Sequence, residues 1–255
     1  MKRVNVIKVG GAVVEDEASL SRLLSDFVAL PGPKVLVHGG GRSATQVAAR
    51  MGIESRMVGG RRITDEAMLD VVTMVYGGLV NKRIVAGLQA KGLRALGLTG
   101  ADMDLIRSHR RPVGEVDYGW VGDVDRADGE LLARLIEQDI VPVVAPLTHD
   151  GQGHMLNTNA DSIAQAVACS LVPHMNVRLT FCFEKRGVLF NADDEESVIP
   201  RIDHSSFDRL KAEGVISGGM IPKLENAFAA IGKGVSEVVI TRANHLDGQG
   251  GTHIV

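Results

Sequence analysis

Along the chain, short apolar runs rich in β-branched residues alternate with longer stretches whose apolar positions recur every three to four residues. The runs at 4–9, 34–38, 141–145, 176–183 and 237–241 predict strands, and the stretches at 18–30, 43–51, 160–171 and 221–231 predict helices. A further helix over 65–79 opens on Thr64 or Asp65. Strands spaced by helices of this length predict an α/β fold with a mostly parallel, doubly wound sheet. Between 57 and 125 the pattern is less regular. There 106–121, broken by Pro112, Gly114 and Gly119, predicts a polar hairpin or flap, a candidate lid. No linker, repeat or low-complexity tract divides the chain, so lobes 1–175 and 176–255 are expected to share one sheet.

One run breaks its own pattern. Lys8 sits near the tip of the first strand, and Gly10-Gly11 follow at once. Ligands of open α/β sheets bind beyond the carboxyl ends of strands. Two more glycine clusters fall at strand ends or helix starts: Gly39-Gly40-Gly41 in VHGGGRSA and Gly218-Gly219 in SGGMIPKLENAF. One glycine pair alone reads as a tight turn. Three such clusters fit a phosphate-rich ligand, because glycine lets backbone N–H groups approach an anion.

In the third cluster Pro222 suits the first turn of a helix. Lys223 lies in the same turn, where a cation opposes the helix dipole by about 0.3–1 kcal/mol. A solvated lysine tolerates that cost. An anion bracketed by Lys8 and Lys223 explains both placements, and a phosphoryl group is the expected one. In LNTNADSIAQ, Asn159 reads as a helix cap with Asp161 in the first turn. Capping chemistry accounts for Asp161 by itself; facing the two lysines, it would also hold both ammonium groups in position. GGRRIT sets Arg61 and Arg62 beside Gly59-Gly60. That is a common surface-loop pattern, and it also suits bidentate capture of a carboxylate.

Composition narrows the classes. The 255 residues are 45% hydrophobic and 23% charged, with net charge −3 and a pI of about 6.2. This fits a globular enzyme and leaves no basic field for nucleic acid. No apolar run reaches the roughly 18 residues of a membrane span, and the stretch after Lys2-Arg3 is cut by Lys8 and two glycines. No membrane or signal segment is therefore expected, and the cytoplasm is the expected compartment. Cys169 and Cys182 lack metal or disulfide-framework spacing and are expected as reduced thiols. The eight histidines lack ligand spacing, so no protein-bound metal is expected. His38 is expected to pack or bond to backbone rather than act as a base.

The chain lacks the P-loop pattern G-x-x-x-x-G-K-[ST], the serine elbow G-x-S-x-G and H-E-x-x-H. Lysine, arginine, asparagine, one organising aspartate and backbone N–H groups remain. Such groups are ill suited to proton transfer and well suited to phosphoryl transfer, where positioning and charge stabilisation dominate. A carboxylate acceptor needs no general base. Its difficulty is repulsion from the nucleotide, which lysines on both sides would offset.

Taken together, IKVGG, VHGGG, GRRIT, LNTNAD, GGMIPKLENA and the final GT resemble the amino-acid kinase family over essentially the whole chain. The resemblance is strongest to its branch that phosphorylates N-acetyl-L-glutamate in arginine biosynthesis. It implies a three-layer αβα sandwich with an open, mainly parallel eight-stranded sheet. It also implies ATP, with Mg²⁺ carried by the nucleotide, an acylated glutamate as the small-molecule substrate, and a homodimer built on the N-terminal lobe. By motif, Lys8 and Lys223 would stabilise the transferring group and Asp161 would orient them. Gly10, Gly11, Gly218, Gly219 and Glu184 would serve the nucleotide. Gly40 and Gly41 would bind the acyl-amino acid through backbone N–H groups, Arg62 would pair with its α-carboxylate, and Asn157 would bond to the same ligand.

Two departures stand out. Many relatives carry a Ser/Thr-Asp-Val-x-Gly turn where this chain has CFEKRGVL, with Glu184-Lys185. Arginine-inhibited relatives carry an extra N-terminal helix, whereas Lys8 here lies near the start, so an arginine-insensitive dimer is expected. Some relatives use N-succinyl-L-glutamate. Its extra carboxylate would call for a further cation, for which Arg42 and Arg61 are candidates.

Two readings of other classes compete. GGGRSA also fits the dinucleotide pattern G-x-G-x-x-A, which would suit an NAD(P)-dependent oxidoreductase. Against it, the motif follows the second strand, and no acidic residue ends an obvious strand about 20 residues on. A non-catalytic nucleotide or amino-acid sensor on the same fold is opposed by the presence of both lysines and Asp161.

Overall fold

A computed structural model describes residues 1–255 except Asn244 and Gly248, with the side chain of Pro222 also outside the description. At its centre is an eight-stranded sheet. In chain order its strands are β1 (Arg3–Val9), β2 (Lys34–His38), β3 (Ala95–Leu98), β4 (Val141–Val144), β5 (Asn176–Phe183), β6 (Arg201–Ile202), β7 (Glu237–Arg242) and β8 (Thr252–Ile254). Across the sheet they run β6-β8-β7-β5-β1-β2-β4-β3. The strands from β7 to β3 are parallel to one another, while β8 pairs antiparallel with β7 and parallel with β6.

The alternation of side chains along β1 explains the layers. Val4 and Val6 enter one apolar cluster and Ile7 and Val9 another, on opposite faces of the sheet. Helices Gly129–Glu137, Ala160–Leu171 and Met220–Gly232 pack on the first face; Glu17–Ala29, Gly41–Arg50 and Glu66–Ala90 pack on the second. Lys8 shares the face of Val4 and Val6, and therefore points toward the Ala160–Leu171 helix.

The helix expected over 65–79 is longer. Asp65 caps it, its carboxylate accepting the Met68 N–H at 2.9 Å, and it continues to Ala90. Gly77-Gly78 do not end it, because the chain passes them in a π-helical stretch, Thr73–Val80. Gly77 is half-buried, and a Cβ there would meet Leu147 at 3.4 Å. Among the described residues this is one helix long and apolar enough to cross a membrane by length and composition. Its inner stripe, including Met68, Val71, Val75, Ile84 and Leu88, is buried in the core.

The hairpin expected over 106–121 is also built in more deeply. Strand Ile106–Arg110 pairs antiparallel with Val121–Ala127, and Leu147–His149 and Met155–Thr158 complete a small closed barrel. A second hairpin, Met57–Val58 with Arg61–Arg62, turns on Gly59 and Gly60 at φ of 55° and 75°. Two successive positive φ angles are what such a two-residue turn demands of glycine.

Candidate active site

Parallel register aligns the strand ends: Val9 lies beside His38 on β2 and Cys182 on β5. The loops after β1, β2 and β5 therefore emerge side by side, at the place where such sheets bind ligands. The glycines let the first two loops touch. A Cβ on Gly11 would stand 3.4 Å from the backbone nitrogens of Gly40 and Gly41, and one on Gly40 would stand 3.0 Å from the ring of Tyr76.

Neighbouring side chains lock the second loop. The helix Gly41–Arg50 has no acidic residue in its first turn, and Glu15 supplies the missing acceptor by taking the Ser43 N–H at 2.7 Å. His38 is fully buried. Its Nδ1 lies 2.7 Å from the Gly39 carbonyl, and its Nε2 lies 3.2 Å from the Asn81 amide, which also donates to the Val143 carbonyl at 2.9 Å. This fits a neutral ring donating from Nδ1 and accepting at Nε2. Burial pushes its pKa down to about 4, so it is neutral near pH 7. Burial likewise raises the Cys182 thiol to about 12, and both cysteines are free.

At the tip of β1, one carboxylate joins two lysines. Asp161 Oδ1 lies 2.7 Å from Lys8 Nζ, and Asp161 Oδ2 accepts from Lys223 Nζ at 2.8 Å. Asn159 caps the helix that carries Asp161, its side chain accepting the Asp161 and Ser162 N–H groups at 2.8 and 3.2 Å. Burial alone would raise the Asp161 carboxyl. The facing ammonium groups outweigh burial and hold it below its usual range. The side chains of Lys8 and Asp161 are 10% and 12% exposed, against 25% for Lys223, so the bridge is anchored inside and reaches solvent from the Lys223 side.

Two cavities adjoin here and share Gly41. The first is lined by Gly40, Gly41, Arg61, Arg62, Tyr76, Arg111 and Asn157, among others, and continues to Asn159 and Ala160, next to Asp161. Arg62 is buried in its wall and donates to Gly41 O at 2.8 Å, to Thr45 at 3.0 Å and to Ser55. Asn157 donates to Thr64 at 2.9 Å. The second cavity is lined by Lys8, Gly10, Gly11, Gly41, Arg42, Glu184, Lys185 and Lys223, among others. One cavity thus suits a small carboxylate-bearing ligand and the other an anion of phosphate type, with the Lys8–Asp161–Lys223 bridge at their junction.

The amino acid kinase family model matches residues 3–242. The chain belongs to the amino acid kinase family. It is 65% identical over 253 residues to an acetylglutamate kinase of Bacteroides fragilis, covering 99% of this chain and 97% of that protein. It is 63% identical over 254 residues to an acetylglutamate kinase of Parabacteroides distasonis, covering 100% of each. A solved structure from Streptococcus mutans UA159 superposes with a TM-score of 0.80 at 27% identity, covering 99% of this chain and 98% of that one. The expected fold class is what the chain adopts. The dinucleotide reading of GGGRSA loses its support, and the next strand of the central sheet along the chain, β3, is followed by Thr99 rather than an acid.

For this amino acid kinase family member, the structure brings Lys8, Asp161 and Lys223 into one bridge. It puts Gly40, Gly41, Arg62 and Asn157 around one cavity, and Gly10, Gly11 and Glu184 around the other. Gly218 and Gly219 do not line the second cavity. They shape the turn into the Met220–Gly232 helix, with Gly218 at φ 54° and Gly219 at the N-cap. Of the two acyl-end candidates, Arg61 lines the first cavity, whereas Arg42 lines the second and pairs with Glu184. Sequence reasoning missed Tyr76, Arg111 and Glu15. Arg111 had a signal in the pair Arg110-Arg111 before Pro112; Tyr76 and Glu15 carried none apart from their helices.

Proposed function

We propose that this chain transfers the γ-phosphoryl group of MgATP to the side-chain carboxylate of N-acetyl-L-glutamate, a step of arginine biosynthesis. The observation that carries this reading is the Lys8–Asp161–Lys223 bridge where an arginine-lined and a lysine-lined cavity meet. Arg62 takes the α-carboxylate, Asn157 and the Gly40-Gly41 backbone hold the acyl-amino acid, and Gly10-Gly11 receive the nucleotide phosphates. A carboxylate oxygen attacks the γ-phosphorus. The bond to the β,γ-bridging oxygen breaks, and ADP leaves with the electron pair. The second product is an acyl phosphate, and no proton moves. Lys8 and Lys223 stabilise charge on the phosphoryl oxygens, and Asp161 keeps the two ammonium groups together. Both oxygens of Asp161 face lysines and Glu184 faces Arg42, which suits Mg²⁺ arriving as part of MgATP.

In this reading residues 1–175 hold the acyl-amino acid and, through Gly10-Gly11, reach the nucleotide phosphates, while 176–255 form the nucleotide lobe. Two copies join through the N-terminal part. Met74 and Leu79, 50% and 46% exposed, offer an apolar surface there on the Glu66–Ala90 helix. Molar mass by light scattering tests the dimer, and a monomer would overturn it.

A second reading keeps the chemistry and replaces the acetyl group by succinyl. Arg111 favours it. Its Nε and Nη2 both engage Asp123, while its Nη1 is buried with no partner among the described residues. With Arg61 and Arg62 it makes three guanidinium groups lining the acceptor cavity, more than one α-carboxylate uses. The carboxylate that a succinyl group adds at the acyl end would occupy it.

The test is ADP release from MgATP with N-acetylglutamate, N-succinylglutamate and free glutamate side by side, trapping the acyl phosphate with hydroxylamine. Turnover of the acetyl compound supports the first reading, and a strong preference for the succinyl compound supports the second. No turnover with any of them would overturn both and return the sensor reading.

A further inference from the structure

The lysine-lined cavity holds a charge arrangement that the bridge does not use. Arg42 occupies the first turn of the Gly41–Arg50 helix, where a cation opposes the helix dipole; the carboxylate placed at that helix end, Glu15, accepts the Ser43 N–H instead of pairing with Arg42. Its partner is Glu184, with Nη2 to Oε1 at 3.3 Å; the two side chains are 69% and 65% exposed. An exposed pair with one long contact contributes little, about 0–1 kcal/mol. It does not account for placing a guanidinium at a helix N-terminus.

The placement of the pair does. Arg42 follows β2, Glu184 follows β5, and β1 lies between those strands. The contact therefore spans the end of β1, over Gly10 and Gly11, the backbone given above to the nucleotide phosphates. Both side chains line the cavity that Lys8, Lys185 and Lys223 also line. Counting Asp161 beneath, the lining carries four cationic residues (Lys8, Arg42, Lys185, Lys223) against two carboxylates (Asp161, Glu184), so the cavity is left net positive. Only one nitrogen of Arg42 touches Glu184. The rest of its planar fork is available for a second anion, and a polyphosphate is the anion such a fork matches.

We propose that Arg42 is a third nucleotide-binding cation, contacting the polyphosphate of MgATP, and that Glu184 is a positioning residue that holds it across the mouth before nucleotide arrives. This rests on the phosphoryl-transfer reading and deepens it. It also gives the unusual Glu184 a part: a carboxylate there would repel phosphate on its own, and is tolerated because it is paired with Arg42.

The experiment is calorimetric titration of wild type, Arg42→Met, Glu184→Gln and the double variant with MgADP and with the Mg²⁺ complex of a non-hydrolysable ATP analogue. KM for the acylated glutamate is measured alongside. Arg42→Met is expected to weaken nucleotide binding about tenfold and to leave the KM of the acylated glutamate unchanged. Glu184→Gln is expected to weaken nucleotide binding about threefold in wild type and to strengthen it about twofold in the Arg42→Met background, where the unpaired carboxylate repels phosphate. That reversal of sign is not expected of a merely structural surface pair. Nucleotide binding unchanged in Arg42→Met, or an effect on acylated-glutamate KM instead, would overturn the proposal. Wild type binding neither nucleotide would overturn the phosphoryl-transfer reading beneath it.

Discussion

Gly39 rests on Gly11: a Cβ added to Gly39 would lie 3.0 Å from the Gly11 backbone nitrogen. The two loops that frame the candidate site are thus in backbone contact, and their spacing has no slack. Gly39→Ala is expected to push them apart. Overpacking of this kind costs about 1–3 kcal/mol of stability. A small misplacement of reacting groups costs on the order of 10²-fold in kcat/KM. Thermal melts and steady-state kinetics check both, and activity at the wild-type level would show that the contact does not set the site.

Asp161→Asn leaves two ammonium groups facing each other without their counter-charge. The expected loss is about 10²–10³-fold in kcat, the scale of removing a preorganised electrostatic group. Lys8→Ala is expected to fall at least as far, and full activity in that variant would undo the catalytic assignment.

The same carboxyl predicts an acid limb in stability. Its folded-state pKa is depressed, so its stabilising contribution is complete above the unfolded value of about 3.9 and is lost as pH falls through the lower folded value. Denaturant melts from pH 5 down to pH 2 measure this, and Asp161→Asn is expected to flatten that part of the curve.

His38 acts in a different window. Its folded value of about 4 lies below the ordinary 6.5, so stability is full above pH 6.5 and declines as pH falls from 6.5 toward 4, where the unfolded chain binds the proton and the native ring does not. The kinetic profile is expected to show no ionisation from this ring between pH 6 and 8. Following the imidazole by NMR titration checks it directly.

Lys34 isolates stability from function. Its buried ammonium donates to the carbonyls of Phe27 and Val28 at 3.1 and 3.2 Å and to Leu30, closing the end of the Glu17–Ala29 helix. Lys34→Met is expected to lose about 1–3 kcal/mol, since buried carbonyls are left without donors, with kcat unchanged. Chemical denaturation alongside the ADP-release assay separates the two effects.

Much of this was legible because it is local. The strands 34–38 and 176–183 and the helix 160–171 have the bounds their patterns predict, since burial on both faces or on one stripe writes itself into consecutive residues. Lys8 and Lys223 were legible as electrostatic misfits. The small barrel was not: Arg107 meets His149 and Val121 meets Asn157, pairings between distant segments that no local window contains. The placement of Arg111 in the site was hidden for the same reason, although the Arg110-Arg111 pair itself stands in the sequence. Its partner Asp123 lies across the hairpin, and its cavity is assembled from several parts of the chain.

The π-helical stretch sets an angular phase. In an α-helix of 3.6 residues per turn, positions five apart diverge by about 140°. Here the Asn81 N–H reaches back to the Tyr76 carbonyl, a five-residue step that narrows this divergence, and also to the Gly78 carbonyl. Tyr76 can therefore lie against Gly40 while Asn81 bonds to His38, and one helix grips the glycine loop at two points. Removing one residue other than Tyr76 from 73–80, so that the turn tightens to an α-helix, would swing one grip away while leaving every side chain of the candidate site in the sequence.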